Sequence, residues 1–586
     1  MALVIGVLSA FVALALLKLI GLFTNLFFFQ SWDSALVSPS GNRLGLFVVL
    51  VPVLGGLIIG LMARYGSERI RGHGIPEAIE AILMNGSRVE PKVAFLKPLS
   101  AAISIGSGGP FGAEGPIIMT GGAFGSMIAQ FFHLTSAERK TLLVAGAAGG
   151  MAATFASPVA ALLLAVELLL FEWKPRSLIP VAVAAAAATI TRRYLIGLGP
   201  LFPTSAHPVF IGPAGILGCI LAGLAAGALS ALLTAAVYAS EDAFKRLPIH
   251  WMWWPALGGL AIGVGGLIFP QALGVGYDVI ESLIREDASA KIILGILLVK
   301  SAIWSISLGS GTSGGVLAPL LMMGGALGGL MTGWLPNEGA GFWPLISMGA
   351  ILGGTMRVPF TGVIFILELT HDVNILLPLT VATVIAYSFT VLVLGRSILT
   401  EKIARRGYHL SREYAIDPLE ILFVREVMPA NTVAVPADTS VRQLASSLHL
   451  GDRRRRQRLY PVVDELNHLA GILTEGDIHR LEKIVARRDR PPAVIDVVRR
   501  DVVVAYPDEP LRAVVYRMAE SGLTRFPVVE RDGGKLLGII SLKDLLIART
   551  RILEAEQRRE RVLHPRLFFP RPPRRETPNR SAAGGC

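Results

Sequence analysis

Residues 106–125, GSGGPFGAEGPIIMTGGAFG, hold one charged side chain, Glu114, among glycines, small residues and apolar ones. A glycine-rich break that runs into a helix presents unpaired backbone N–H groups and the positive end of the helix dipole, which together suit an anion. A carboxylate at such a position has two readings. It can cap its own helix, or it can occupy the place of a mobile anion and leave when it is protonated or displaced. An ionisable residue in so apolar a run is a functional candidate by default, so we adopt the second reading.

The run has a copy. Residues 309–328, GSGTSGGVLAPLLMMGGALG, repeat it without the carboxylate: Gly106 and Gly309, Pro116 and Pro319, and Gly121 and Gly324 each lie 203 residues apart. Further on, Pro158 and Glu167 correspond to Pro359 and Glu368 at a spacing of 201. Two halves of about 200 residues make a duplicated unit, and a site is expected where the halves meet. Glu167 and Glu368 end apolar helices symmetrically, which assigns them a shared structural role.

The elements that must position these residues are membrane helices. The chain has 586 residues, 52% hydrophobic and 17% charged, with a mean hydropathy of +0.58. Apolar segments near 43–63, 141–170, 178–190, 209–238, 253–269, 293–308 and 376–394 approach or reach the length that spans about 30 Å of hydrocarbon. GG pairs and prolines interrupt several of them, so broken or re-entrant helices are expected. The first 29 residues carry no charged side chain except Lys18, and read as a retained membrane helix rather than a signal peptide. Cys219 and Cys586 are the only cysteines, which excludes a disulfide framework and a thiolate metal site.

The net charge of +12 lies mainly beyond residue 400. Basic residues flanking the spans, among them Arg64, Arg69, Arg71, Arg396, Lys402, Arg405 and Arg406, place their loops and the C-terminal part in the cytoplasm of a cell, plasma or inner, membrane. Nucleic-acid binding would need aromatic interleaving on a defined fold, and none is expected.

Magnitudes decide whether broken helices suffice for an anion. A bare ion in hydrocarbon costs tens of kcal/mol. A helix end offers ~0.3–2 kcal/mol and each N–H to a charged partner ~1.5–3 kcal/mol. Three or four converging breaks reach on the order of 10 kcal/mol, enough to offset partial dehydration in a watery path. GHGIPE at 72–77 supplies a further helix start, with glycines for close approach and Pro76 in the first turn.

GHGIPE, GAEGP around Glu114 and GGVLAP at 314–319, in this order on a duplicated hydrophobic frame, resemble the CLC chloride channels and proton-coupled chloride transporters over nearly the whole chain. The resemblance implies an all-α, multi-pass membrane protein with an inverted repeat and broken helices, and a homodimer with one anion path per subunit. It makes Glu114 the gating residue and places anion contacts at His73, Gly74, Glu114, Gly115, Val316, Leu317 and Leu399. It also shows departures. His73 stands where the family has a serine, Leu399 where it has an inner tyrosine, Leu168 where exchangers have a proton-accepting glutamate, and Ala113 where a basic residue adjoins the gate. Glu172 lies nearby as a candidate replacement carboxylate. These changes favour a channel-like or weakly proton-coupled conductor of chloride; a chloride/proton antiporter, and transport of fluoride or nitrate, stay open. An imidazole at position 73 would titrate near neutral pH.

Other classes fare worse. GxSxG at 311–315 and GxGxxG at 309–314 both need a preceding strand, whereas an apolar segment leads into them. A membrane hydrolase using Ser313 has no evident histidine base, so no enzymatic activity is expected. A cation-coupled solute transporter would place Asp or Asn at the breaks, where only Glu114 is found.

The soluble part repeats as well. RLYPVVDELNHLAGILTEGDI at 458–478 parallels TRFPVVERDGGKLLGIISLKDL at 524–545, with Asp477 and Asp544 67 residues apart. Each copy reads strand, turn, strand, helix. The pattern resembles a tandem CBS pair, which implies an adenine nucleotide (ATP, ADP or AMP) on the ribose-contacting motifs of Thr474 with Asp477 and Ser541 with Asp544. A plain capping box explains the same residues. No other cofactor and no metal is expected. The domain reading is a membrane domain 1–395 (repeats about 43–200 and 209–395), a charged linker 396–420, an α+β cytoplasmic pair at 421–485 and 493–552, and a basic, Pro/Arg-rich tail 553–586, disordered or lying on anionic lipid.

Overall fold

The computed structural model describes residues 1–84, 87–197, 199–405, 419, 422–429, 432–444, 457–478, 480, 493–548 and 550. The expected tail 553–586, most of the linker and parts of the first soluble copy lie outside the described residues. The chain divides into two units, residues 1–414 and 415–586.

The first unit is helical: α1 (Ala2–Thr24), α2 (Leu50–Tyr65), α3 (Ile75–Met84), α4 (Pro91–Gly106), α5 (Glu114–Gln130), α6 (Ser136–Phe155), α7 (Pro158–Leu164), α8 (Pro175–Leu195), α9 (Pro213–Lys245), α10 (Trp254–Ile268), α11 (Tyr277–Ile284), α12 (Ala290–Gly295), α13 (Ser301–Gly309), α14 (Leu317–Met331), α15 (Phe342–Met356), α16 (Pro359–Thr370), α17 (Leu376–Val393) and α18 (Ile398–Arg405). Among the described residues seven helical stretches are long and apolar enough to cross a membrane, including Ala2–Phe29 and Ala290–Gly309, and only 28% to 44% of each is buried inside the protein. The remaining apolar surface needs lipid, so the unit is a multi-pass membrane protein.

With lipid outside, helices gain little from hydrophobic burial and associate through close backbone approach at small residues. A Cβ added to Gly121 of α5 would lie 2.3 Å from the Gly146 carbonyl of α6, and one on Gly146 would lie 2.1 Å from that of Gly121. Either helix would have to move to admit alanine.

The duplication is visible in the backbone. Ala156 and Arg357, 201 apart, both adopt the left-handed conformation (φ 57° and 60°) two residues before Pro158 and Pro359. The apolar stretch 141–170, read from the sequence as one segment, is therefore two helices, because a left-handed residue followed by proline cannot continue the helix. Glu167 accepts the N–H groups of Phe360 (3.2 Å) and Thr361 (2.9 Å), while Glu368 accepts those of Val159 (3.0 Å) and Ala160 (2.8 Å). Each half's glutamate thus caps the other half's helix. Such an exchange requires the two helices to run in opposite directions, as inverted repeats do. Gly112 and Gly315, 203 apart, exchange both of their backbone hydrogen bonds (3.1 and 2.8 Å), the same reciprocity at the centre of the unit.

Residues 398–405 are not linker. They form α18, which buries Ile398, Leu399 and Ile403 within the membrane unit. Tyr238 Oη of α9 donates to the Ile398 carbonyl at 2.5 Å, and Arg405 pairs with Asp242.

The second unit contains a sheet ordered β1 (Val435–Pro436), β2 (Leu459–Val463), β3 (Leu469–Thr474), and a hairpin of β4 (Arg525–Val529) with β5 (Leu536–Ser541), preceded by α19 (Leu511–Ser521). β2 with β3 and β4 with β5 pair antiparallel, each with a bulge at the matching valine pair, Val462/Val463 and Val528/Val529. Helix follows β3 from residue 475 and β5 from residue 542, giving the expected strand, turn, strand, helix order twice.

Candidate functional site

α5 begins at Glu114 because the preceding GSGGP turn cannot continue α4, and α14 begins at Leu317 for the same reason in the second copy. The reciprocal Gly112–Gly315 bridge holds these two helix starts against each other. Glu114 is fully buried, and its Oε1 accepts the N–H of Leu317, the first residue of the opposite copy's helix. Its Oε2 has no hydrogen-bond partner among the described residues. Glycine is required on both sides of the carboxylate: a Cβ on Gly112 would lie 1.9 Å from Oε2, and one on Gly315 would lie 2.4 Å from Oε1. The carboxylate therefore sits across the repeat on another helix's N-terminus, where an anion would otherwise be favoured.

The GHGIPE turn packs directly beneath. A Cβ on Gly115 would lie 1.8 Å from the His73 carbonyl, and one on Gly74 would lie 2.4 Å from the Gly115 carbonyl. His73, Gly74, Glu114, Gly115, Val316 and Leu317 are thus brought together at the meeting point of α3, α5 and α14. His73 is buried, and its Nδ1 has no hydrogen-bond partner among the described residues.

Two expected anion contacts come out differently. The Gly74 N–H is already taken by Glu77 Oε2 at 2.8 Å, because Glu77 occupies the third position of α3 and reaches back over its first turn. Leu399 is buried in α18 and does not line the cavity beside His73; from that region Tyr238 does. The cavity encloses about 640 Å³ and is bordered by Arg69, Arg71, His73, Glu77, Tyr238 and Lys402, among others. A smaller one, about 120 Å³, opens near Gly276, Tyr277 and Asp278.

Sequence reading missed two buried lysines. Lys97 Nζ donates to the carbonyls of Ile70 (2.8 Å) and Gly72 (2.7 Å), and Lys300 Nζ to that of Gly274 (3.0 Å). Both are fully buried, and they lie 203 residues apart, so the repeat spacing was the signal that could have found them. Each lysine ties down the loop before a short helix, α3 or α11, and thereby fixes one approach to Glu114.

In the second unit Thr474 and Asp477 form a reciprocal cap: Asp477 Oδ2 accepts from Thr474 Oγ1 (2.6 Å) and N–H (3.1 Å), and the Asp477 N–H donates to Thr474 Oγ1 (3.2 Å). Arg499 binds the other carboxylate oxygen at 2.8 Å. Partial burial works to raise the Asp477 pKa, but the Thr474 hydroxyl and Arg499 outweigh it and hold the group below the usual carboxylate range. Asp544 Oδ2 likewise accepts from the Ser541 N–H (2.9 Å) and Oγ (2.5 Å).

The family model for voltage-gated chloride channels matches residues 55–391, and that for CBS domains matches 424–483 and 494–551. The Salmonella typhimurium voltage-gated ClC-type chloride channel ClcB is 30% identical over 367 residues, covering 61% of this chain and 86% of that one. The Arabidopsis thaliana chloride channel protein CLC-f is 26% identical over 584 residues, 84% of this chain and 72% of the relative. Among solved structures, a slow cyanobacterial Cl⁻/H⁺ antiporter superposes with a TM-score of 0.61 at 21% identity, over 69% of this chain and 96% of that one. With the family model covering more than half of the chain, and with helix starts from both inverted copies meeting at Glu114, the protein is a membrane anion transporter and not an enzyme: it belongs to the voltage-gated chloride channel (CLC) family and carries a tandem pair of CBS domains.

Proposed function

We propose that the chain moves chloride through one path per subunit of a homodimer, that Glu114 closes this path, and that transport is channel-like or weakly coupled to protons. The observation that carries the reading is the Glu114 carboxylate on the Leu317 amide, held between Gly112 and Gly315. Protonation, or displacement by an anion, breaks that hold. Weak coupling is favoured because Leu168, fully buried, offers no proton acceptor, and because Glu172 is engaged by Ser177 (2.7 Å), Lys174 (3.5 Å) and Lys140 (4.0 Å). The protein would reside in the cell membrane with its CBS pair in the cytoplasm, on the side of the basic loops.

Chloride efflux from vesicles containing the purified protein, with external pH recorded at the same time, tests this. Chloride flux with few or no protons is expected. Stoichiometric proton counterflow would replace the reading with a chloride/proton antiporter, the activity named for the cyanobacterial structural relative. Fluoride or nitrate moving in place of chloride would change the substrate but not the path.

For the CBS pair we propose an adenine nucleotide held by Thr474, Asp477, Ser541 and Asp544. Saturating ATP is expected to raise the melting temperature of the full-length protein, and Asp544→Ala to abolish that rise. If ATP leaves the melting curve of the unaltered protein in place, these four residues are helix caps alone.

A further inference from the structure

At the meeting point of α3, α5 and α14 two carboxylates, Glu114 and Glu77, sit on helix N-termini. Glu114 holds the start of α14. Glu77 holds the start of α3, with Oε2 on the Gly74 N–H at 2.8 Å, while its Oε1 lies 2.5 Å from Nζ of Lys402, which arrives on α18 from 325 residues away. The Glu77 side chain is only 6% exposed, and that of Lys402 21%. An acid that closes back over its own first turn is ordinary at a helix start. A partly buried cation brought from the far end of the unit onto the other oxygen is not needed for that.

An independent observation points to a ligand at the same place. His73, beside Gly74, borders the 640 Å³ cavity together with Glu77 and Lys402. It is 4% exposed and its Nδ1 has no partner among the described residues. A buried ring nitrogen is seldom left unsatisfied, and in the Nδ1–H form it donates to an anion. An anion between that nitrogen and the Gly74 amide would satisfy both, and Glu77 now covers the second.

We propose that Glu77 is a second gating carboxylate of the anion path and that Lys402 is the residue that positions it. Glu77 occupies the α3 N-terminus as Glu114 occupies that of α14, and a monovalent anion takes the Gly74 amide when Glu77 gives it up and remains with Lys402. The path then has one carboxylate lock on each side of the Gly115–His73 contact. The inference rests on the chloride reading above and adds a residue to it.

Calorimetric titration of the full-length protein with chloride, alongside vesicle efflux, tests it. Glu77→Gln is expected to bind chloride about fivefold more tightly, because a neutral amide competes for the Gly74 N–H about half as strongly as a carboxylate. The pair variant Glu77→Gln with Lys402→Gln leaves the net charge unchanged and is expected to keep the gain. If the single variant gains affinity and the pair returns to the unaltered value, the effect is net charge and the gate is overturned. It is also overturned if Glu77→Gln lowers the melting temperature without changing chloride affinity, since Glu77 is then only a cap. Should Glu77→Gln not fold, Glu77→Asp, too short to reach Gly74, is expected to bind chloride more tightly as well, and unchanged affinity there overturns the gate. No chloride binding and no efflux by the unaltered protein would remove the chloride reading itself, and the gate with it.

Discussion

Replacing Glu114 by glutamine is expected to raise chloride efflux from vesicles severalfold at pH 7 and to make it independent of pH between about 4.5 and 8. The unaltered protein should conduct more as pH falls, since protonation weakens the hold on Leu317 and removes the repulsion of an incoming anion. A charge-assisted hydrogen bond contributes ~1.5–3 kcal/mol and a neutral one ~0.5–1.5, so the substitution forfeits about 1 kcal/mol of self-closure. That is about a fivefold gain for chloride at the same amide. Glutamine keeps the volume and the acceptor oxygen, so the cradle of Gly112 and Gly315 still fits it. Efflux that retains its pH response in this variant would show that another group closes the path.

Gly115→Ala is expected to abolish chloride transport. The new Cβ would lie 1.8 Å from the His73 carbonyl and 3.1 Å from Gly315 Cα. Neither neighbour can retreat easily: the His73 turn is held by Lys97 through Ile70 and Gly72, and Gly315 is bridged to Gly112. Overpacking of this kind costs about 1–3 kcal/mol, and the displaced backbone carries the site itself. Gly41→Ala, where an added Cβ meets nothing within 4 Å, is the control expected to transport normally. Normal efflux from Gly115→Ala would mean that the α3 and α5 starts are not held together in the working protein.

Both expectations depend on a geometry that the sequence outlines unevenly. Spacing alone disclosed the duplication, because pairs such as Pro116 with Pro319 keep a fixed offset whatever the fold. It disclosed the break before Glu114 as well, since glycine and proline end helices locally. The structural role given to Glu167 and Glu368 agrees with their reciprocal caps. Other residues misled for a local reason. Segment 396–405 reads as charged linker because four of its ten side chains are ionised, yet its apolar side packs into the unit as α18. Gly74 reads as a free donor because nothing in GHGIPE says which way Glu77 will turn.

The sequence by itself determined the class of the protein, the duplication and the carboxylate at its centre, because composition, periodic spacing and helix breaks are properties of short stretches. Only the tertiary structure decided whose amide each carboxylate holds: Leu317 of the opposite copy for Glu114, Gly74 of its own helix for Glu77, with Lys402 beside it. Those partners stand 203, 3 and 325 residues away in the chain. They meet because backbone groups buried in an apolar unit must find polar partners within it, and which partner they find is settled by packing.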